Sequence, residues 1–392
     1  MISVSEAQAR LLALAEPVDI ERLPLLAAAG RWTAEAVPAL RTQPVADLSA
    51  MDGYAIRYAE LPGPWRVVGE AAAGGVALPA LAPGEAARIF TGAPVPDGAD
   101  TVMVQEEAAR DDDMLRLAGE GPLRIGANIR RAGSDFAAGA LLVAAGEGLN
   151  PARIGLAALG GHGDIAVRRP VRVAIVSTGD ELVEPGSPGD AGLPNSNGPM
   201  LAALLGGWPA EIVDMRIVRD DLAALAAAFV ELAARADILV TIGGASVGDH
   251  DLVKPALAAA GAEIDFWRIA MRPGKPLLAG RIGTTVCLGL PGNPVSAFVT
   301  ATLFLLPLVA RLGGAADALP RPRTAILGSD LPAGGPRAEY LRARFVDGVV
   351  EPIMSRDSAL LGILASADAL IVRAPSAPPL GAGGRVDYIA IA

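Results

Sequence analysis

The sequence predicts a multidomain chain of α/β plus β class. It contains a three-layer α/β domain with a parallel-rich sheet, a β-rich module, a mixed helical N-terminal domain and a C-terminal β domain. Three observations carry this prediction. The chain is 392 residues long, too long for a single domain of about 100–200 residues. From Val171 onward, short apolar strands alternate with helical stretches, which is the pattern of a parallel sheet. Two other stretches, 46–134 and from about Pro320 to the end, are runs of short strands broken by Gly and Pro. The expected organisation is 1–45 with 135–168 as a mixed helical linker and dimerisation domain, 46–134 as the β module, 169–318 as the α/β domain and 319–392 as the C-terminal domain.

Taken in order, residues 1–45 read as helical with Gly and Pro punctuation. The first helix is amphipathic, Ser3 and Glu6 have capping-box spacing, and Pro17 stops it. In the β module, Trp65–Val68 and Thr101–Val104 are strands, and Asp111, Asp112 and Asp113 form an acidic turn. Residues 135–168 return to a helical or mixed texture. Strands are expected at Val171–Val176, Glu211–Ile217 and Asp237–Ile242, with helices after Asn197 and over Asp221–Ala236. The long uncharged stretch Ile282–Ala310 passes a hydropathy test for a membrane span, but Pro291, Gly292, Asn293 and Pro294 interrupt it. It reads as a buried strand, a turn and a buried helix.

Composition narrows the function. The net charge of −10 argues against a general nucleic-acid binder. Cys287 is the single cysteine, so neither an intramolecular disulfide nor a Cys/His zinc site is available. His162 and His250 are the two imidazoles, and both fall in loops. No signal-peptide core opens the chain, and a cytoplasmic protein without a membrane span is expected. Of 33 basic residues, only Lys254 and Lys275 are lysines, which draws attention to them.

In parallel sheets, ligands bind beyond the carboxyl ends of the strands, and the polar motifs fall there. Thr178-Gly179-Asp180-Glu181 offers carboxylates that either hold a hard divalent cation or cap a turn. Gly243, Gly244, Ser246 and Gly248 let backbone N–H groups approach an anion, with neither Walker nor GxGxxG spacing. Asp251 follows, as a site carboxylate or a helix N-cap. Arg272-Pro273-Gly274-Lys275-Pro276 presents two cations from a rigid loop suited to an oxyanion. Pro291-Gly292-Asn293-Pro294 opens a helix whose N-terminus suits an anion, with Ser296 adding a hydroxyl.

Together these stretches resemble the molybdopterin molybdenumtransferase family, MoeA in bacteria and the E region of gephyrin. The resemblance runs from about residue 3 to the end. It rests on SAMDGYA at 49–55, FTGAPVPDGADTVMVQEE at 90–107, NIRRAGSD at 128–135, VSTGDEL at 176–182, NSNGPML at 195–201, TIGGASVGDHDLVK at 241–254, RPGKP at 272–276 and GLPGNPVSA at 289–297. It implies an elongated, homodimeric, four-domain enzyme of molybdenum cofactor biosynthesis. The implied reaction inserts molybdate into adenylyl-molybdopterin with magnesium and releases AMP. By motif position, Asp52, Thr91, Asp135, Glu181, Asp220, Asp251, Lys275 and Arg344 are implied catalytic residues, and Pro291 and Pro294 shape the loop. The expected metal carboxylates are Glu181 and Asp251. Arg272 stands where the family also uses Lys, and in Arg356-Asp357-Ser358-Ala359 the residue that transfers is Ser358. Because Asp52 and the α/β loops lie far apart in the chain, sites composed from two subunits are expected. A transient contact with a molybdopterin adenylyltransferase is a further expectation. The alternatives are a molybdopterin adenylyltransferase or nucleotide pyrophosphatase activity, and a non-catalytic molybdopterin-binding scaffold.

Overall fold

The computed structural model describes residues 1–187, 192–244, 252–355 and 357–391. The α/β domain is built on a six-stranded sheet. Its spatial order is Ala210–Val218, Val171–Thr178, Ile238–Ile242, Thr285–Leu290, Pro276–Ile282 and Glu263–Arg268. The first four strands are parallel, Pro276–Ile282 runs antiparallel to them, and the edge strand Glu263–Arg268, antiparallel to Pro276–Ile282, points the same way as the first four. Alternation along Val171–Thr178 explains the three layers. Val173 and Ile175 enter one core with Leu201, Leu205 and Phe304. Ala174 and Val176 enter the opposite core with Leu225, Phe229 and Leu257. Both faces are therefore covered, as a central parallel strand requires.

The uncharged stretch is a strand, a turn and a core helix. Residues Pro294–Leu312 run as one helix whose most apolar window is 94% buried inside the protein. Its middle, Ala301–Leu305, is π-helical just ahead of Pro307, which cannot donate the next backbone hydrogen bond. Cys287 lies in the opposite core, and burial pushes its thiol up to about 12, so it is chemically quiet.

The first helix, Val4–Ala13, is capped by Ser3, whose hydroxyl accepts from the Glu6 N–H. Ala7, Leu11 and Ala15 insert into the α/β core, and the Gln8 amide donates to the Leu303 carbonyl at 2.9 Å. This opening helix thus packs on the α/β domain. The helical expectation for the rest of 1–45 is not met. That stretch consists of turns and the short strands Ile20–Pro24 and Val37–Pro38, which pair with Asp164–Arg168 and Leu141–Val143. Pro17, Pro24, Pro38 and Pro44 deny the segment a helical ladder, and non-local pairing takes over. One helix, Pro151–Leu159, completes this region, capped by Asn150.

The β module is a six-stranded sheet ordered Thr101–Val104, Gly53–Ile56, Glu85–Ile89, Trp65–Ala71, Met114–Leu117 and Ala108–Asp111. Trp65, Ile56, Met103 and Leu115 fill one side. The C-terminal sheet, built around Ala338–Val346 and Ala369–Arg373, recruits a strand from outside its own stretch. Met271–Arg272, at the start of the RPGKP loop, pairs with Ala338 and Glu339. This pairing ties the C-terminal domain to the rim of the α/β domain.

Candidate active site

A cavity of about 730 Å3 opens at the carboxyl ends of the parallel strands. Its walls come from the turns after Thr178, Ile242 and Leu290, the start of the helix Asn197–Leu205, and the loop carrying Lys275. Glu181, Asp220, Lys275, Gly243, Gly244, Gly274, Pro291, Gly292, Asn293, Pro294 and Ser296 all line it. Ser246, Gly248, His250 and Asp251 lie outside the described residues.

Local geometry explains the small residues. Gly243 has φ +93°, and a Cβ there would stand 2.9 Å from the Thr178 carbonyl oxygen, so the two strand ends close on each other. Gly274 has φ +97°, and a Cβ would meet the Thr300 methyl at 2.4 Å. The Lys275 loop therefore lies flat against the long helix and leaves the lysine side chain exposed at the cavity. The Asp220 carboxylate is oriented by the Thr178 hydroxyl, which donates to it at 2.5 Å. Glu181 folds its carboxylate back over Gly179.

The turn at 291–294 is held from two sides. The Asn197 amide donates to the Gly292 carbonyl at 2.6 Å. Asn293 occupies the N-cap position without capping. Its side chain donates instead to the Ser358 hydroxyl at 3.1 Å, and the Val295 N–H donates to the Ser358 carbonyl. Ser358 of the C-terminal domain thus takes up a donor at the helix N-terminus. Arg342, only 5% exposed, fixes that loop by donating to the carbonyls of Ser355 and Asp357 at 2.6 and 3.1 Å.

Arg272 and Ser358 face a second, smaller cavity of about 60 Å3, shared with Arg342, Arg373 and Glu339. Pairing of Met271–Arg272 with the C-terminal sheet turns Arg272 away from Lys275. Arg344 lines neither cavity. It is exposed near the end of its strand, opposite Glu351. Its neighbour two positions back, Arg342, is the arginine at the domain boundary. The sequence signal was the pair of arginines in Leu341-Arg342-Ala343-Arg344, which does not say which one turns inward. Asn195 and Asn197 stand in a motif that the sequence singled out, but their roles need the fold. Asn195 accepts from the Ser177 hydroxyl and from the Gly198 N–H, and so anchors the helix start.

Asp52, Thr91 and Asp135 do not line the cavity. Asp52 and Thr91 meet each other in the β module, where the Thr91 N–H and hydroxyl donate to the Asp52 carboxylate at 2.7 and 2.8 Å. These bonds hold the carboxyl below its usual range, the backbone donor first and the hydroxyl second. Gly53 is obligatory here because a Cβ would stand 2.0 Å from the Met103 carbonyl oxygen across the sheet. Asp135 is exposed and contributes its N–H to the Gln43 carbonyl. His162 is a loop residue whose Nε2 meets the Pro38 carbonyl.

This arrangement coincides with known proteins along the whole chain. Family models match in order. Residues 2–161 match the MoeA N-terminal region (domain I and II), 174–311 a probable molybdopterin binding domain, and 324–391 the MoeA C-terminal region (domain IV). A molybdopterin molybdenumtransferase of Haemophilus influenzae is 36% identical over 80% of this chain and 78% of its own length. The chain belongs to the molybdopterin molybdenumtransferase (MoeA) family. A Nostoc member is 39% identical over 85% of this chain and 79% of its own length. The crystal structure of a molybdopterin biosynthesis MoeA protein from Pyrococcus horikoshii superposes with a TM-score of 0.86 at 25% identity, covering both chains completely. The family's multidomain α/β plus β fold is the fold found here.

Proposed function

We propose that this protein inserts molybdenum from molybdate into adenylyl-molybdopterin and releases AMP. The observation that carries this reading is the main cavity. There a lysine, two carboxylates, flat glycine turns and the 291–294 turn meet at the carboxyl ends of parallel strands. Lys275, a compact charge at the end of a flexible stem, suits a phosphate oxygen. The Asn197 contact to Gly292 and the Asn293–Ser358 contact keep the turn in shape, so bound substrate meets a preformed wall.

The donor set fits magnesium. Among the described ionisable residues of the cavity wall, Glu181 and Asp220 are acidic and Lys275 is basic, so an anionic substrate meets a wall that is negative on balance. A divalent cation corrects that balance. Among the described residues no group of three metal-type side chains is gathered. Magnesium does not require one, because it typically takes one or two carboxylates together with substrate phosphates. Glu181 and Asp220 would hold it, with Asp251 as the third carboxylate implied by the motif. When bound, the ion neutralises phosphate charge and polarises the anhydride. The Thr178 hydroxyl keeps the Asp220 carboxylate aimed, and Lys275 holds the anion as charge moves to the departing AMP.

Asp52 and Thr91 complete the site from the partner subunit of a homodimer. Their prepared pair is accessible, with Asp52 half-buried and Thr91 exposed. A twofold axis can set that pair against the partner's cavity. With this reading come a cytoplasmic location and a transient contact with the adenylyltransferase that supplies the substrate. The test is incubation with adenylyl-molybdopterin, molybdate and magnesium. AMP released in proportion to molybdate consumed is the expected result, and the absence of molybdate-dependent AMP contradicts the reading.

A further inference from the structure

The β module carries a second prepared group beside Asp52. The strand Gly53–Ile56 pairs with Glu85–Ile89, opposing Gly53 to Ile89 and Tyr54 to Arg88, and with Thr101–Val104, opposing Gly53 to Val104. With the alternation of side chains, this register puts Asp52, Tyr54, Arg88, Phe90 and Gln105 on one face. Arg88 is half-buried at its centre. Its guanidinium carbon lies 5.2 Å from the centroid of the Tyr54 ring and 4.7 Å from that of Phe90. One terminal nitrogen donates to the Gly53 carbonyl at 2.8 Å and the other to the Gln105 amide oxygen at 2.6 Å.

Two features bear on what this arginine can do. First, its hydrogen-bond partners are neutral, as are those of Arg57, whereas Arg66, Arg110 and Arg131 of the same module are paired with carboxylates. Its charge is retained on an acidic protein and held in place by two rings. Second, a guanidinium has five N–H donors, and these two bonds use two of them. The group is fixed in orientation with donors to spare, which is the state suited to a bidentate oxyanion. The composite site also creates a need for it. An anionic substrate brought beside the Asp52 carboxylate meets like charge, and Arg88 is close enough to Asp52 to act on its ionisation. The spare donors are available to offset that repulsion.

We infer that Arg88 contacts a phosphate oxygen of the adenylylated substrate and so secures that substrate's affinity from the β-module half of the site. This inference rests on the composite-site reading above. Arg88 binds and orients, and no bond-breaking step passes through it.

The test is the dissociation constant of adenylyl-molybdopterin on the homodimer, measured with magnesium and without molybdate at low and high ionic strength. Losing a charge-assisted hydrogen bond predicts a rise of roughly ten- to a hundred-fold for Arg88→Gln at low salt. The salt dependence should flatten, with the variant folded by circular dichroism. Arg88→Lys keeps the charge without the planar fork and should recover part of the affinity. Arg88→Met keeps the packing between Tyr54 and Phe90 and replaces Arg88→Gln if that variant does not fold. Wild-type affinity and salt dependence in the folded neutral variant overturn the inference. The composite reading is judged separately by heterodimers of Asp52→Ala and Lys275→Ala subunits. Active heterodimers with unchanged Arg88→Gln affinity remove Arg88 alone, and inactive heterodimers remove the reading beneath it.

Discussion

The α/β cavity and the Asp52 face of the β module are built from motifs of similar length, yet they end in different states. In the α/β domain, loops at 178–181, 243–244, 274–275 and 291–296 converge because parallel strands deliver their carboxyl ends to one edge. The result is a walled cavity whose described carboxylates outnumber its cation. In the β module, Asp52, Thr91 and Arg88 are equally well held, with Asp52 and Arg88 half-buried and Thr91 exposed. One region is a cavity whose wall is negative on balance despite Lys275, and the other holds a fixed cation on a more accessible surface. The difference teaches that preparing side chains and shaping a cavity are separable tasks, here assigned to separate domains.

The comparison can be broken from either side. The largest effect should come from removing the divalent ion. Excess EDTA should abolish AMP release and magnesium should restore it, while a zinc-selective chelator leaves activity intact. Next, Lys275→Ala should weaken substrate binding by roughly ten- to a hundred-fold, the loss of one charge-assisted contact, with circular dichroism and melting unchanged. On the β-module side, Gly53→Ala should destabilise the module by about 1–3 kcal/mol. The added methyl runs into the Met103 carbonyl, and denaturant unfolding would show the loss. The smallest effect belongs to Thr91→Val. It removes the hydroxyl donor but keeps the backbone donor, so the Asp52 carboxyl should move up toward its ordinary value and remain ionised at neutral pH. A carboxyl resonance followed by NMR during pH titration would report that shift.

Much of this was legible in the sequence, for local reasons. Ser3 and Glu6 mark a capped helix by spacing alone, and the cap is present. Val171–Val176 reads as a doubly buried strand, and both faces of Val171–Thr178 are packed. The cavity loops were visible because Gly, Pro and charged residues cluster directly after apolar strands. What escaped depends on contacts distant in sequence. Residues 14–45 are rich in Ala and Leu and read as helix, yet Ile20–Pro24 finds its partner at Asp164–Arg168. Asn293 looks like a helix cap until Ser358, 65 positions away, takes its side chain. Arg272 and Lys275 sit three apart in one loop, but Arg272 joins the C-terminal sheet and faces another cavity. That Arg342 is the buried arginine and Arg344 the exposed one likewise follows from the carbonyls of Ser355 and Asp357, which no local pattern announces.

The central claim is that the two regions serve one reaction across a subunit boundary. Heterodimers of one Asp52→Ala subunit and one Lys275→Ala subunit test it most directly, at a substrate concentration low enough that neither variant turns over appreciably as a homodimer. If sites form between subunits, one site carries both lesions and the other carries none. Molybdate-dependent AMP release should then reach about half the wild-type rate per dimer, provided the two sites act independently. If each site is completed within one chain, both sites carry one lesion. Inactive heterodimers, with their assembly verified, would contradict the account.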